Sequence, residues 1–195
     1  SALKHPNWKM GKKITIDSST LMNKVFEVIE AKKIFEISYN KIKILIHPKS
    51  YVHAIIDFKN GLTKILSHDT TMEIPIFNSL NLNNNNLIKS NSLDLKILNN
   101  LNFTRVNRKK FPLVKVLDFM PNKNSLFETV LVSTNDTLVR LFLAKKISFL
   151  DISKYLFKII KLKEFQNYKS LKPKNIRQIK NLYNKVSFKV NSLSV

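Results

Sequence analysis

Four side chains near the start of this sequence have the types and spacing to do chemistry: Ser18, Asn23, Lys24 and Glu27. On a helix, Asn23 and Glu27 stack one turn apart, and Lys24 and Glu27 are i, i+3 neighbours. A helix that begins at Ser18 turns free backbone amides and the positive end of its dipole toward that residue, which favours an anion. The group then offers a hydroxyl, an amide and an ammonium to a phosphate. It offers a carboxylate to a divalent cation, which takes further oxygens from elsewhere. The same pattern is also that of an ordinary capped helix with a surface Lys/Glu pair worth about 0.2–0.5 kcal/mol. Spacing alone leaves both readings open.

Two further features flank this cluster. The loop at residues 4–11 holds His5, Trp8 (the one tryptophan), Met10 and Gly11, with Pro6 stiffening its start. A polar loop carrying a large aromatic can serve as a lid that covers a ligand and excludes water; Trp8 can equally anchor the loop to the core. His53 sits in an apolar run that reads as a strand, where a hydrogen-bonded core histidine competes with a catalytic one.

The elements that must position these groups follow from pattern. Asp17-Ser-Ser-Thr20 reads as an N-cap cluster. Leu21, Met22, Val25, Val28, Ile29 and Ile34/Phe35 recur at roughly helical spacing, so the candidate groups fall on a helix over 18–35. Ile42–Ile46 and Tyr51–Phe58 are rich in β-branched and aromatic residues and read as strands. Asn60-Gly61 marks a hairpin turn, with Thr63–Ser67 as the return strand. Glu73 to Leu80 suits a short helix. Asn83–Asn86 is low in complexity and opens a linker over 83–111. Residues 112–195 carry four apolar stripes: Leu113 to Met120, Leu126 to Lys146, Phe149 to Leu162, and Asn175 to Val190. They read as a small helical bundle. The expected fold is an α+β part over 1–82, a helix with a mixed or antiparallel sheet and a lid loop, then the linker and the α-helical bundle.

Composition narrows the chemistry. The 195 residues include 2 glycines, too few for a complete Gly-rich phosphate loop or dinucleotide fingerprint. There is no cysteine, which excludes disulfides, thiolate metal sites and a cysteine nucleophile. No signal peptide or membrane span is evident, so a soluble, intracellular protein is expected. The net charge of +21 invites an anionic partner such as nucleic acid. The cations are nearly all lysine, however. Heavy use of Asn, Ile, Leu and Phe beside them suggests codon drift toward A/T as the cause.

The stretch His5 to Ala31 resembles the signature of the 1-deoxy-D-xylulose 5-phosphate reductoisomerase family, H-P-N-W-x-M-G-x-K-I-x-x-D-S-A-T-x-M-N-K-G-L-E-x-I-E-A. Leu45 to His53 continues it, against L-I-H-P-Q-S-x-x-H. Ser92–Leu95, Phe111–Lys115 and Leu131–Asp136 echo it weakly. The family glycine after Asn-Lys is Val25 here. The family's N-A-A-N-E reads Val132-Ser-Thr-Asn-Asp136.

The resemblance implies a C-terminal half: part of the catalytic domain over 1–82 and a C-terminal helical domain over 112–195, without the N-terminal dinucleotide-binding domain. The implied activity is the NADPH- and Mg²⁺- or Mn²⁺-dependent conversion of 1-deoxy-D-xylulose 5-phosphate to 2-C-methyl-D-erythritol 4-phosphate in non-mevalonate isoprenoid biosynthesis. By matched position, Ser18, Asn23 and Lys24 would hold the sugar-phosphate substrate, and Glu27 would be one of three carboxylate metal ligands. His5 would touch the substrate and Trp8 would cover it. Met10 and Gly11 would lie near the nicotinamide, and His53 would support the active site. Of these, His5, Lys24 and His53 are the expected catalytic residues. The implied partners are the NADPH-binding N-terminal half and a second copy in a homodimer, with no membrane and nucleic acid not expected. The implied compartment is the cytoplasm, or a plastid-type organelle in a eukaryote. The competing class is a degenerate basic fragment that binds nucleic acid or another anion.

Overall fold

The computed structural model of the chain describes residues 11–81, 87–91 and 95–194. Among these, the helices in chain order are α1 (Lys12–Thr20), α2 (Met22–Ile34), α3 (Glu73–Leu80), α4 (Leu95–Leu98), α5 (Phe127–Leu143), α6 (Phe149–Ile160), α7 (Lys163–Gln166) and α8 (Ile176–Ser194). The strands are β1 (Leu45–Ile46), β2 (Val52–Asp57), β3 (Thr63–Ser67) and β4 (Thr104–Arg105). They form two antiparallel pairs, β1 with β4 and β2 with β3. The chain divides into two compact units, residues 1–44 with 107–195, and residues 45–106. This partition cuts across the 1–82, 83–111 and 112–195 stretches. The stretch read as linker contributes β4, which pairs Arg105 with Leu45 and Thr104 with Ile46.

In the first unit α5 is the central helix. Its Phe127, Val130, Leu131, Leu138 and Val139 are buried against α6 (Ile152, Leu156, Ile159, Ile160) and α8 (Leu182, Val186, Val190). Three of the four stripes predicted for 112–195 are thus the α-helices α5, α6 and α8. The stripe from Leu113 to Met120 is instead a 3₁₀ helix, Pro112–Phe119, which buries Leu113, Val114 and Val116. A spacing of three along its buried face suits three residues per turn, and Pro112 is tolerated in the first turn. α2 packs on this segment and brings Met22, Val25, Val28 and Ile29 into the core.

The first helix departs from expectation. Instead of one helix over 18–35, the chain forms α1 and then α2, broken at Leu21, whose φ of 59° is left-handed. The run Asp17–Thr20 is the last turn of α1, and of its side chains Thr20 alone reaches α2, accepting from the Met22 amide at 3.4 Å. The hydroxyls of Ser19 and Thr20 donate back to the carbonyls of Thr15 and Ile16, as in a helix interior. The Asp17 carboxylate is held by Lys13 and Asn135 instead of by backbone amides.

The second unit holds the hairpin. Gly61 has φ of 86°, which an L side chain rarely adopts, and the Asn60 side chain accepts from the Leu62 amide. The strand expected over Ile42–Ile46 shortens to β1. Register slips between Val52 and Ala54, a bulge at His53. The α3 helix forms where expected, from Glu73 to Leu80.

α5 ends in a Schellman motif: Lys146 N–H donates to the Leu141 carbonyl and Lys145 N–H to Phe142, at 2.9 Å each. The left-handed slot is filled by Lys145 (φ 60°) in place of glycine, and its side chain is exposed. Lys145→Gly is therefore expected to stabilise the chain by about 1 kcal/mol, measured as a higher urea midpoint at unchanged slope.

Candidate functional site

The candidate groups flank the left-handed Leu21. Ser18 is half-buried in the last turn of α1, and its carbonyl accepts from the Leu21 amide at 3.1 Å. Ser18 therefore does not sit at a helix N-terminus. Among the described residues the free first-turn amides belong to α2, at Asn23 and Lys24, while the Met22 N–H donates to Thr20 Oγ1 at 3.4 Å. Lys24 Nζ donates to both carboxylate oxygens of Glu27, at 3.0 and 2.8 Å, and both side chains are about half exposed. Beside them, Asn23 Oδ1 is buried with no hydrogen-bond partner among the described residues. Val25, at the family glycine position, is fully buried, so its extra bulk points into the core.

This junction is held from beneath. Asp17 is 4% exposed. Its Oδ1 accepts from Asn135 Nδ2 at 2.8 Å, and its Oδ2 from Lys13 Nζ at 2.7 Å. Lys13 also reaches Asp136 at 2.9 Å, and Asp136 accepts from the Tyr183 hydroxyl at 3.1 Å. Burial alone would lower the Lys13 ammonium, but its hydrogen bonds to Asp17 and Asp136 outweigh that and hold it above its ordinary value. Farther along α2, Lys33 stands 3.4 Å from Glu128 of α5. The Tyr39 phenol, with its oxygen buried and unpartnered, is pushed up to about 12 by burial and by the charge of Glu128.

His53 belongs to the second unit and is exposed, so the reading as a core histidine is corrected. Its ring stacks on His68 with centroids 3.6 Å apart and planes 5° apart. Gly11 precedes α1 with φ of −58°, an ordinary value, and an added Cβ would meet nothing within 4 Å. His5, Trp8 and Met10 fall outside the described residues. The first unit's cleft, about 510 Å³, is lined by Lys32, Lys33, Glu36, Lys123 and Lys172, among others, and includes none of the candidate groups. Of the candidate groups, Lys24 and Glu27 are about half exposed, and Ser18 and Asn23 are half-buried. Among the described residues no three His, Asp or Glu side chains converge as a metal cage.

Sequence reasoning missed Lys13, Asp17, Asn135, Asp136, Tyr183 and His68. Lys13 and Asp17 are i, i+4 neighbours, a signal legible only once residues 12–20 are read as helix. Asn135 is 118 residues from Asp17, beyond any local pattern.

The family model for the 1-deoxy-D-xylulose 5-phosphate reductoisomerase C-terminal domain matches residues 1–35, and that for the DXP reductoisomerase C-terminal domain matches residues 68–186. The chain is 58% identical over 194 residues to the 1-deoxy-D-xylulose 5-phosphate reductoisomerase of Pelagibacter ubique, covering 100% of this chain and 50% of that protein. It is 38% identical over 170 residues to that of a Sulfurihydrogenibium species, covering 87% and 45%. Among solved structures, a DOX-P reductoisomerase in complex with NADPH, fosmidomycin and magnesium superposes with a TM-score of 0.82 at 30% identity, covering 99% of this chain and 47% of that one. The Zymomonas mobilis enzyme in complex with NADPH gives 0.79 at 28% identity, covering 93% and 47%. The chain spans about half the length of the curated relatives it matches.

Two outcomes test the anchoring. Asp17→Ala leaves the Asn135 amide buried without its acceptor and is expected to cost about 2–3 kcal/mol by urea unfolding. Lys24→Ala, at the exposed pair, should stay within about 0.5 kcal/mol of the parent. Because the folded chain favours the neutral Tyr39 phenol, that contribution to stability is complete below the ordinary value of 10.0 and is lost as pH rises through about 12. Tyr39→Phe should delete the most alkaline step of the tyrosine absorbance titration.

Proposed function

The chain belongs to the 1-deoxy-D-xylulose 5-phosphate reductoisomerase family, and on that premise we propose that it forms the sugar-phosphate-gathering half of an enzyme making 2-C-methyl-D-erythritol 4-phosphate with NADPH. The observation that carries this reading is the identity of 58% over 194 residues to a reductoisomerase. That assignment favours it over an anion-binding remnant.

The substrate phosphate is gathered by the Lys24 ammonium, the Asn23 amide, the Ser18 hydroxyl and the first-turn amides of α2. The buried, unpartnered Asn23 oxygen is an acceptor, costly to leave unsatisfied, so it supports a donor such as a substrate hydroxyl beside the phosphate and not the phosphate itself. In the resting chain Lys24 and Glu27 satisfy one another. Their exposed pair is worth only a few tenths of a kcal/mol, on the order of an i, i+3 helix pair, so a phosphate can take Lys24 while Glu27 turns to a cation. An exposed carboxylate beside an oxygen-rich substrate suits a hard divalent ion, Mg²⁺ or Mn²⁺, with Glu27 as one ligand. When bound, that ion and NADPH supply oxygen polarisation and hydride, respectively. His5 and Trp8 close over the substrate, Met10 and Gly11 adjoin the nicotinamide, and His53 supports the site. The working protein is a cytoplasmic homodimer, divided functionally into a catalytic part over 1–82, a linker and a helical domain over 112–195. No helix among the described residues is long and apolar enough to cross a membrane.

The test fuses this chain to the remaining half of the Pelagibacter ubique relative and follows NADPH absorbance with 1-deoxy-D-xylulose 5-phosphate and Mg²⁺. Turnover is expected, and Glu27→Gln should remove it while leaving circular dichroism and thermal unfolding unchanged. A folded but inactive parent fusion would sink the assignment. Near-normal activity in the variant would sink the metal role alone.

A further inference from the structure

α1 buries four residues, Thr15, Ile16, Asp17 and Thr20, and only Ile16 is apolar. Apolar burial is non-directional, so a single isoleucine leaves the rotation of α1 about its own axis poorly determined. Hydrogen bonds are directional, and here they converge on one buried carboxylate. Asp17 is shared between Asn135 of α5 and Lys13 of its own helix; Lys13 bridges on to Asp136, and Asp136 is tied to Tyr183 of α8. Asn135 is fully buried and Asp17 nearly so, whereas Lys13 is about half exposed on its side chain. Ser18 is the next residue after Asp17, and Leu21 and the first turn of α2 follow within one further turn.

We propose that Lys13 and Asn135 are positioning residues: through Asp17 they fix the orientation of α1, and so the place where the Ser18 hydroxyl meets the first-turn groups of α2. This rests on the sugar-phosphate reading of that junction. Neither residue touches the ligand. Two polar ties from α1 to α5, Asp17 to Asn135 and Lys13 to Asp136, set both rotation and axial height, as one hydrophobic contact cannot. Removing Lys13 leaves Asp17 and Asp136 sharing no cation and lets α1 relax away from α5.

Lys13→Met and Asn135→Leu, with Lys13→Arg as the conservative control, test this in two ways. In the fusion enzyme, KM for the sugar phosphate is expected to rise about tenfold in Lys13→Met while kcat and the KM for NADPH stay within about twofold. Lys13→Arg should restore the parent KM. A uniform fall in activity that tracks thermal unfolding, or an unchanged KM, overturns the proposal. In the chain alone, amide hydrogen exchange at the hydrogen-bonded amides of the junction, Leu21, Met22 and Val25, should quicken about tenfold in either variant while Ile159 of α6 keeps its protection. Unchanged exchange at the junction overturns the proposal whether or not the parent fusion turns over. An inactive parent fusion sinks the functional reading and leaves the exchange result to decide this one. Should Asn135→Leu fail to fold, Lys13→Met at the half-exposed position carries both measurements.

Discussion

The first unit's functional end depends on one buried negative charge. An isolated carboxylate removed from water is costly unless it is paired and hydrogen-bonded. Asp17 meets both conditions through Lys13 and Asn135. In doing so it converts a desolvation penalty into a geometric constraint. The helix that carries Ser18 has little apolar surface with which to fix itself, and the polar tie supplies what packing does not. α2, by contrast, is held by ordinary burial of Met22, Val25, Val28 and Ile29. The junction between a helix set by hydrogen bonds and a helix set by packing is Leu21, a left-handed residue. The candidate chemistry lies on both sides of it.

Much of the scaffold was legible in the sequence because it rests on periodicity. Long apolar stripes gave α5, α6 and α8, and Asn60-Gly61 between β-branched runs gave the hairpin. The misreading at residues 12–35 has a definite cause. Asp, Ser and Thr are helix starters because their side chains compete for backbone amides, and Asp17–Thr20 looks like such a start. Tertiary partners changed the outcome: once Asp17 is engaged by Asn135, it is no longer available to cap. His53 was misplaced for a related reason. Its neighbours Ile55 and Ile56 imply a buried strand, but both are exposed, and a bulge sets His53 against His68.

The candidate site was legible only in part, in the side chains that are near one another along the chain. Asn23, Lys24 and Glu27 form a local pattern, and the Lys24–Glu27 contact follows from helical spacing alone. The supporting network does not, because its members come from α1, α5 and α8. The fully buried Val25 also needed the structure. It stands where the family motif has glycine, and its side chain is part of the core.

The β2–β3 hairpin has a practical consequence for anyone handling this chain. A two-stranded ribbon has two open edges, and this one leaves Ile55, Ile56, Phe58, Leu62, Ile65 and Leu66 in contact with water. Open edges lined with β-branched and aromatic side chains are templates for strand addition. Concentrated preparations of the 195-residue chain will therefore self-associate first through this ribbon, even though a charge of +21 keeps the molecules apart at low ionic strength. Raising the salt screens that repulsion without weakening the stickiness of the ribbon, so buffers that usually calm a basic protein will hasten its precipitation.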